Sequence, residues 1–323
     1  LPAVPSPHAP ERAASGLGSV RARNGTLKTA AKNWQLYLLI APVLAYFIIF
    51  HYAPMYGLQI AFKDFIATKG ITGSSWVGFK HFKQFFQSYY ASRIILNTLG
   101  VSAMQLIIGF PMPILLAIMI NELRGSKFKR TVQTVTYAPH FLSAVVLVGI
   151  MIIFLSPRSG LVNQIIAFFG GERIAFFGEP GWFKTLYVLS DVWQNMGWAS
   201  IIYLAALAGI DPQQYEAAVI DGAGKLQKII HITIPGLLPT AIILLILNLG
   251  TLMSVGFEKV YLMQNDLNLD SSEIISTYVY KKGLLGAQYS FSAAVGLFNS
   301  VINFILLIVV NGLSRRVSKT SLW

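Results

Sequence analysis

The chain has 323 residues, of which 54% are hydrophobic and only 12% charged, with a mean hydropathy of +0.59 and a formal net charge of +12. Soluble domains carry about 25% charged residues, so this composition excludes a water-soluble fold that hides its apolar surface. In such a chain Lys and Arg report topology and contact with anionic lipid, which argues against nucleic-acid binding. The lack of Cys excludes disulfides and thiolate metal sites and says nothing of the redox compartment, and His8, His51, His81, His140 and His231 show no metal-ligand spacing.

Residues 1–30 are rich in Pro, Ala, Ser, Gly and Arg and lack the apolar core of a signal peptide, so a disordered cytosolic tail is expected there. Residues 31–90 are expected to hold a first transmembrane helix and an extracytoplasmic loop: Trp34 to Phe50 is apolar apart from Gln35. From Asp64 to Arg93 a turn-rich stretch precedes an aromatic, basic piece, GITGSSWVGFKHFKQFF, expected to be helical and to lie along the membrane surface.

Residues 91–314 read as the core transmembrane domain. Ile94 to Ile120, Thr131 to Pro157 and Ile232 to Phe257 contain no Asp, Glu, Lys or Arg, Gly283 to Ser314 is also uncharged, and Thr185 to Ile210 is interrupted only by Asp191. Each approaches or exceeds the ~20 residues that cross a hydrocarbon core of about 30 Å. An all-α protein with six spans and both termini on one side follows. Val162 to Phe169 is too short to span and reads as an interfacial or loop helix, while Pro111, Pro113 and Pro139 are expected to kink their helices. Residues 315–323 form a cytosolic C-terminal tail on this reading.

Charge alone orients the chain weakly, since the segments placed inside hold 14 of its 25 basic residues. Arg124, Lys127, Lys129, Arg130, Arg315, Arg316 and Lys319 mark the inside; Lys63, Lys69, Lys80, Lys83 and Arg93, in the first outer loop, oppose them.

Between spans four and five lies DPQQYEAAVIDGAGKLQKIIHITIPGLLP, Asp211 to Pro239. Asp211 is a good N-cap, Pro212 suits the first helical turn, and Gln214 is placed to complete a capping box. Gly222 is able to take positive φ and end that helix, and Lys225 to Thr233 offers a second short helix stopped by Pro235. Ala217 and Ala218 keep one side of the hairpin flat enough for a protein surface to approach. Although Gly222-Ala223-Gly224-Lys225 has the look of a phosphate loop, Leu226 stands where a Ser or Thr is needed and Val219 where the first Gly is needed, so the chain is not expected to bind ATP.

Glu216, Ala217, Ala218, Gly222, Ile232, Ile234 and Pro235 match the spacing EAA-x3-G-x9-I-x-L-P, with Ile for Leu, which resembles the coupling loop of ABC importer permeases of the MetI-like fold. The wording Tyr215-Glu-Ala-Ala-Val-Ile-Asp221-Gly222-Ala223 is similar to the carbohydrate branch, in which an Asp precedes the Gly. The resemblance implies that the hairpin, residues 211–235, is cytoplasmic and fits a groove of an ATPase subunit, with Glu216 as the main polar contact, Gly222 as the turn and Asp221 as a stabiliser. It further implies a second permease subunit, usually a different chain, two ATP-binding-cassette subunits that hold ATP and Mg, an extracytoplasmic solute-binding protein above, and residence in the bacterial cytoplasmic (inner) membrane. No cofactor is expected in this chain itself.

A sugar path needs hydroxyl-binding groups and aromatic faces within the bundle. Span four supplies Asp191, Trp193, Gln194, Asn195, Trp198 and Tyr203, with Asn248, Asn299 and Asn303 on spans five and six. Aromatic residues also mark membrane interfaces and buried Asn often braces helices, which is the plainer reading of each residue alone. The overall wording is similar to permeases for oligosaccharides and polysaccharide fragments, including uronic-acid polymers such as alginate, and the basic first outer loop suits an anionic sugar. An ion-coupled secondary transporter is the rival, disfavoured because Asp191 is the one ionisable group within the spans as read. A membrane enzyme lacks a His cluster, paired carboxylates or a GxSxG elbow.

Overall fold

The computed structural model describes residues 32–317; the expected disorder of residues 1–30 and the inside charge at Lys319 lie outside the described residues. Contacts group the described residues up to Gly57 and those from Leu58 onward into two compact units.

The architecture is helical. Helix α1 (Trp34–Phe62) is followed by a small antiparallel pair, β1 (Lys63–Asp64) with β2 (Ser75–Trp76), and by the short helix α2 (Lys80–Phe86). Helices α3 (Ala91–Glu122), α4 (Ser126–Tyr137), α5 (Ala144–Phe154), α6 (Leu161–Phe168) and α7 (Phe183–Ala208) come next. The hairpin helix α8 (Pro212–Ile220), then α9 (Lys225–Gly250), α10 (Phe257–Met263), α11 (Ile275–Tyr280) and α12 (Tyr289–Val317) complete the order. Among the described residues, four helices, α1, α3, α9 and α12, are long and apolar enough to cross a membrane.

The two remaining expected spans differ from the plain reading. The run Thr131 to Pro157 is broken: α4 with its 3-10 extension through Phe141 meets α5 at 99°. Pro139 sits in that 3-10 turn, and Ser143 starts α5 by accepting a hydrogen bond from the Val146 amide at 3.3 Å, so the chain restarts rather than bends. Helix α7 has 26 residues, ample length, but Asp191, Gln194 and Asn195 dilute its apolar character. The expected pause at Pro235 is also corrected, because α9 runs unbroken from Lys225 to Gly250.

One device carries proline through three of these helices. Before Pro54, Pro111 and Pro235 the backbone widens into a single π turn, Ile48–Tyr52, Gln105–Gly109 and Ile229–Thr233. In each the residue preceding Pro donates five residues back, Ala53 to Ile48, Phe110 to Gln105 and Ile234 to Ile229. The shift absorbs both the missing proline N–H and its ring's clash with the carbonyl four residues earlier.

The segment between α1 and α3 shows structure that turn signals did not predict. The β1–β2 pair is only two residues a side and is held by Ser74, which accepts from the Ile66 amide at 3.0 Å, and by a Phe62–Trp76 stack at 5.6 Å. Lys80 hydrogen-bonds Asp64 at 2.7 Å, and that bond, aided by the charges of Lys80 and His81, holds the Asp64 carboxyl below its ordinary range.

Packing falls into three clusters. Ala117, Ile118, Tyr203, Leu207 and Leu237 join α3, α7 and α9 near the hairpin end. Val101, Val148, Tyr187, Val192 and Val260 join α3, α5, α7 and α10. Phe85, Ile94, Tyr278, Phe291 and Val295 close the bundle under α2. From Trp34 to Tyr56, by contrast, every side chain is exposed, an apolar surface for lipid or another chain.

Helix α7 meets α4 at Gly197, where an added Cβ would lie 2.0 Å from the Thr136 carbonyl oxygen. Gly197→Ala is therefore expected to cost about 1–3 kcal/mol through overpacking, read as a lower thermal midpoint in detergent, whereas Gly149→Ala, with open space around it, leaves the midpoint unchanged.

Candidate functional site

A cavity of about 370 Å³ lies between α3, α7, α9 and the segment leading to α10, and Gln105, Asp191, Asn195, Tyr203, Asn248 and Thr251 supply most of its polar lining. Asp191 is its organiser. The carboxylate accepts from Gln105 Nε2 at 2.6 Å and from Asn195 Nδ2 at 3.0 Å, and Lys259 Nζ stands 3.6 Å away. Asn195 continues the chain to His140 Nδ1 at 2.9 Å, and the His140 ring stacks on Trp198 at 4.7 Å. The network thus ties the α4–α5 break to the cavity wall.

Local backbone explains the geometry. Asp191 and Asn195 are one helical turn apart on α7 and share a face. Gln105 opens the π turn of α3, and its amide reaches Asp191 across Gly109, where a Cβ would lie 2.6 Å from Gln105 Nε2. Gln105 Oε1 is buried with no hydrogen-bond partner, an open acceptor beside the carboxylate.

Of the expected path residues, Asp191, Asn195, Tyr203 and Asn248 line the cavity together. The others lie elsewhere. Gln194 donates to the Leu142 carbonyl at 2.8 Å and braces the break; Trp193 is about half exposed, and Trp198 packs on His140 rather than on the cavity. Asn299 is absent from the lining, and Asn303 accepts from the Met253 amide at 2.9 Å and donates to Ser254, so it holds α12 to the chain after α9. Sequence reasoning passed over Gln105, His140, Tyr187 and Lys259. A lone Gln in an uncharged run is a visible signal for the first; nothing in the sequence around Lys259 marks it.

The second element is the hairpin. Asp211 caps α8 by accepting from the Gln213 amide at 2.9 Å. The reciprocal side-chain bond expected of Gln214 occurs instead one helix later, where Gln227 Oε1 accepts from the Gly224 amide at 2.7 Å. Gly222 has φ +75°. The Ala223 amide bonds the Ala218 carbonyl at 2.8 Å and the Gly222 amide bonds Val219 at 3.1 Å, the paired contacts of a Schellman stop. Tyr215 bonds the buried Thr233 hydroxyl at 3.0 Å and fixes α8 to the base of α9. Asp221 takes the C-cap position, and its carboxylate makes no hydrogen bond among the described residues. Glu216, Ala217, Val219, Ile220 and Leu226 are all exposed, Ile220 by 87%, an apolar patch on a braced element. Ala218 and Ala223 line a small recess with Gln227 and His231, and Pro235 follows the π turn.

A helical bundle with four membrane-length apolar helices, a cavity lined in part by polar side chains and a braced, exposed hairpin fits a membrane transport permease. The chain belongs to the family of binding-protein-dependent transport system inner membrane components, matched over residues 109–319, the permeases of ABC importers. It is 45% identical to the polygalacturonan/rhamnogalacturonan transport system permease protein YteP of Bacillus subtilis (strain 168), over 89% of this chain and 90% of that one. Protein LplB of the same organism is 43% identical over 89% of this chain and 91% of its own length. Among solved structures, a bacterial ABC transporter involved in the import of the acidic polysaccharide alginate superposes with a TM-score of 0.85 at 41% identity, over 91% of this chain and 99% of the other. The bacterial alginate ABC transporter in complex with alginate pentasaccharide-bound periplasmic protein gives the same TM-score at 42% identity and the same coverage.

A residue other than Gly at φ +75° costs about 1–2 kcal/mol. Gly222→Ala is expected to raise amide hydrogen exchange across residues 212–233 by about 5- to 30-fold, leaving the helices around the cavity unchanged.

Proposed function

We propose that this chain is the membrane-spanning permease of an ATP-driven importer that moves an acidic oligosaccharide or polysaccharide fragment across the bacterial cytoplasmic membrane. The observation that carries the substrate class is the joint likeness, above 40% identity and over about nine-tenths of the chain, to a polygalacturonan/rhamnogalacturonan permease and to alginate transporters. The wall of the cavity suits such a cargo: amide, hydroxyl and carboxylate groups face sugar hydroxyls, and Phe110 and Tyr203 offer ring faces.

Transport proceeds by alternating access. One such chain does not enclose a sugar-sized path, so a second, related permease completes it, and two ATPase subunits dock on the hairpins from the cytoplasm. Glu216 supplies the polar contact and Val219, Ile220 and Leu226 the apolar one, while Tyr215, Ala217, Ala218, Asp221, Gly222, Ala223 and Pro235 shape and hold the element. ATP and Mg bind on those partners. An extracytoplasmic solute-binding protein delivers the sugar to the outer loops, as supported by the periplasmic protein in the related complex. Closure of the ATPase pair then shifts the permease pair between inward- and outward-open states.

Purification in mild detergent is expected to recover a Walker-motif ATPase and a second permease with this chain; recovery of the chain alone across several detergents refutes the assembly. In vesicles, uptake of an oligouronate is expected to require ATP and to survive an uncoupler. Glu216→Lys is expected to leave the chain assembled in the membrane but to reduce binding-protein-stimulated ATP hydrolysis and uptake at least tenfold, and normal stimulation removes Glu216 from the contact.

A further inference from the structure

The cavity contains an arrangement of charge that its proposed cargo makes meaningful. Asp191 is the one acidic or basic residue in the lining; the other polar liners are amides, hydroxyls and phenols. Left alone, this carboxylate would face an anionic sugar across a medium of low dielectric, where a single like charge is strongly repulsive. It is not alone. Lys259, on α10, reaches it from behind: its side chain is 8% exposed, its Nζ donates to the Tyr187 carbonyl at 3.2 Å, and it lies 4.8 Å from the Tyr187 ring centre and 3.6 Å from Asp191 Oδ1.

That placement is costly unless it serves something. Burying an ammonium and a carboxylate together gains little over two apolar side chains of similar size, and at 3.6 Å the pair is outside direct hydrogen-bond reach. Asp191 already has Gln105 and Asn195 as donors, so it does not need Lys259 for hydrogen bonding. What Lys259 adds is charge. With it, the wall offers acceptors and donors to hydroxyls and carries no net charge.

We propose that Lys259 is a specificity-determining residue: its buried ammonium cancels the Asp191 carboxylate and makes the cavity electroneutral, so that an anionic sugar passes without repulsion. The proposal rests on the reading of this cavity as a sugar path. Lys259 does not touch the sugar; it acts through the field behind Asp191 and Tyr187. Asp191 remains able to accept a sugar hydroxyl, because its side chain is still 22% exposed.

The test uses the complete transporter in vesicles, with an oligouronate and its carboxyl-reduced, uncharged counterpart of equal length. The readout is the ratio of uptake of the acidic sugar to uptake of the neutral one. Lys259→Met, which leaves the carboxylate uncompensated, is expected to lower that ratio about tenfold, the scale of one charge acting over roughly 10 Å at intermediate dielectric. Asp191→Asn combined with Lys259→Met restores the ratio to within about twofold of the starting chain, since net charge is again zero. Asn248→Asp adds a negative charge to the wall while leaving the pair intact; it is expected to lower the ratio too, and it keeps the test readable if Lys259→Met fails to assemble.

Equal losses for both sugars in Lys259→Met, or an unmoved ratio in Asn248→Asp, would make the pair a brace and overturn the proposal alone. Uptake of neither sugar by the unaltered transporter overturns the reading of the cavity as a sugar path, and this inference with it.

Discussion

A carboxyl group packed among helices, with its side chain only 22% exposed, must find its partners in the protein itself. Asp191 meets that requirement by drawing in Gln105 from α3, Asn195 from its own helix and Lys259 from α10, and Asn195 in turn draws in His140 from the break between α4 and α5. Four parts of the chain that share little sequence proximity are thereby fixed around one point. The cavity lies against this polar hub, with Gln105, Asp191 and Asn195 in its wall.

The surrounding helices show the same economy in their backbones. A proline inside a membrane helix removes a donor and leaves a carbonyl open, yet Pro54, Pro111 and Pro235 each follow a π turn in which the preceding amide reaches one residue further back. At α3 the widened turn has a second use, since Gln105 begins it and is thereby turned toward Asp191. Proline accommodation and site construction are one feature at that position.

How much of this was legible depended on range. Uncharged runs disclosed α1, α3, α9 and α12, because length and apolarity are properties of contiguous residues. Caps were equally visible: Asp211 and Gly222 do what their local chemistry predicts. The pause at Pro235 was misjudged because the rule that proline ends a helix ignores the π turn, which sequence alone did not signal. The 99° break at Pro139 was foreseen only as a kink, since Ser143 gives the backbone an independent start. In the site, Asp191, Asn195, Tyr203 and Asn248 were found by polarity within a span, whereas Trp193, Gln194 and Trp198 share their span and face elsewhere. Lys259 was out of reach, for its partner is 68 residues away and nothing local marks it as buried.

The continuity of α9 gives the two sites a physical connection. Its first residue, Lys225, stands beside the hairpin, and Asn248, about 35 Å further along at 1.5 Å per residue, lines the cavity. A helix broken at Pro235 would let the hairpin swing without moving Asn248. An unbroken one, with Tyr215 bonded to Thr233 at its base, connects the hairpin to the cavity wall through continuous helix. On the proposed role, α9 is the element that joins the hairpin to the cavity that Asn248 and Asp191 both line. The π turn at Ile229–Thr233 keeps α9 continuous across its proline.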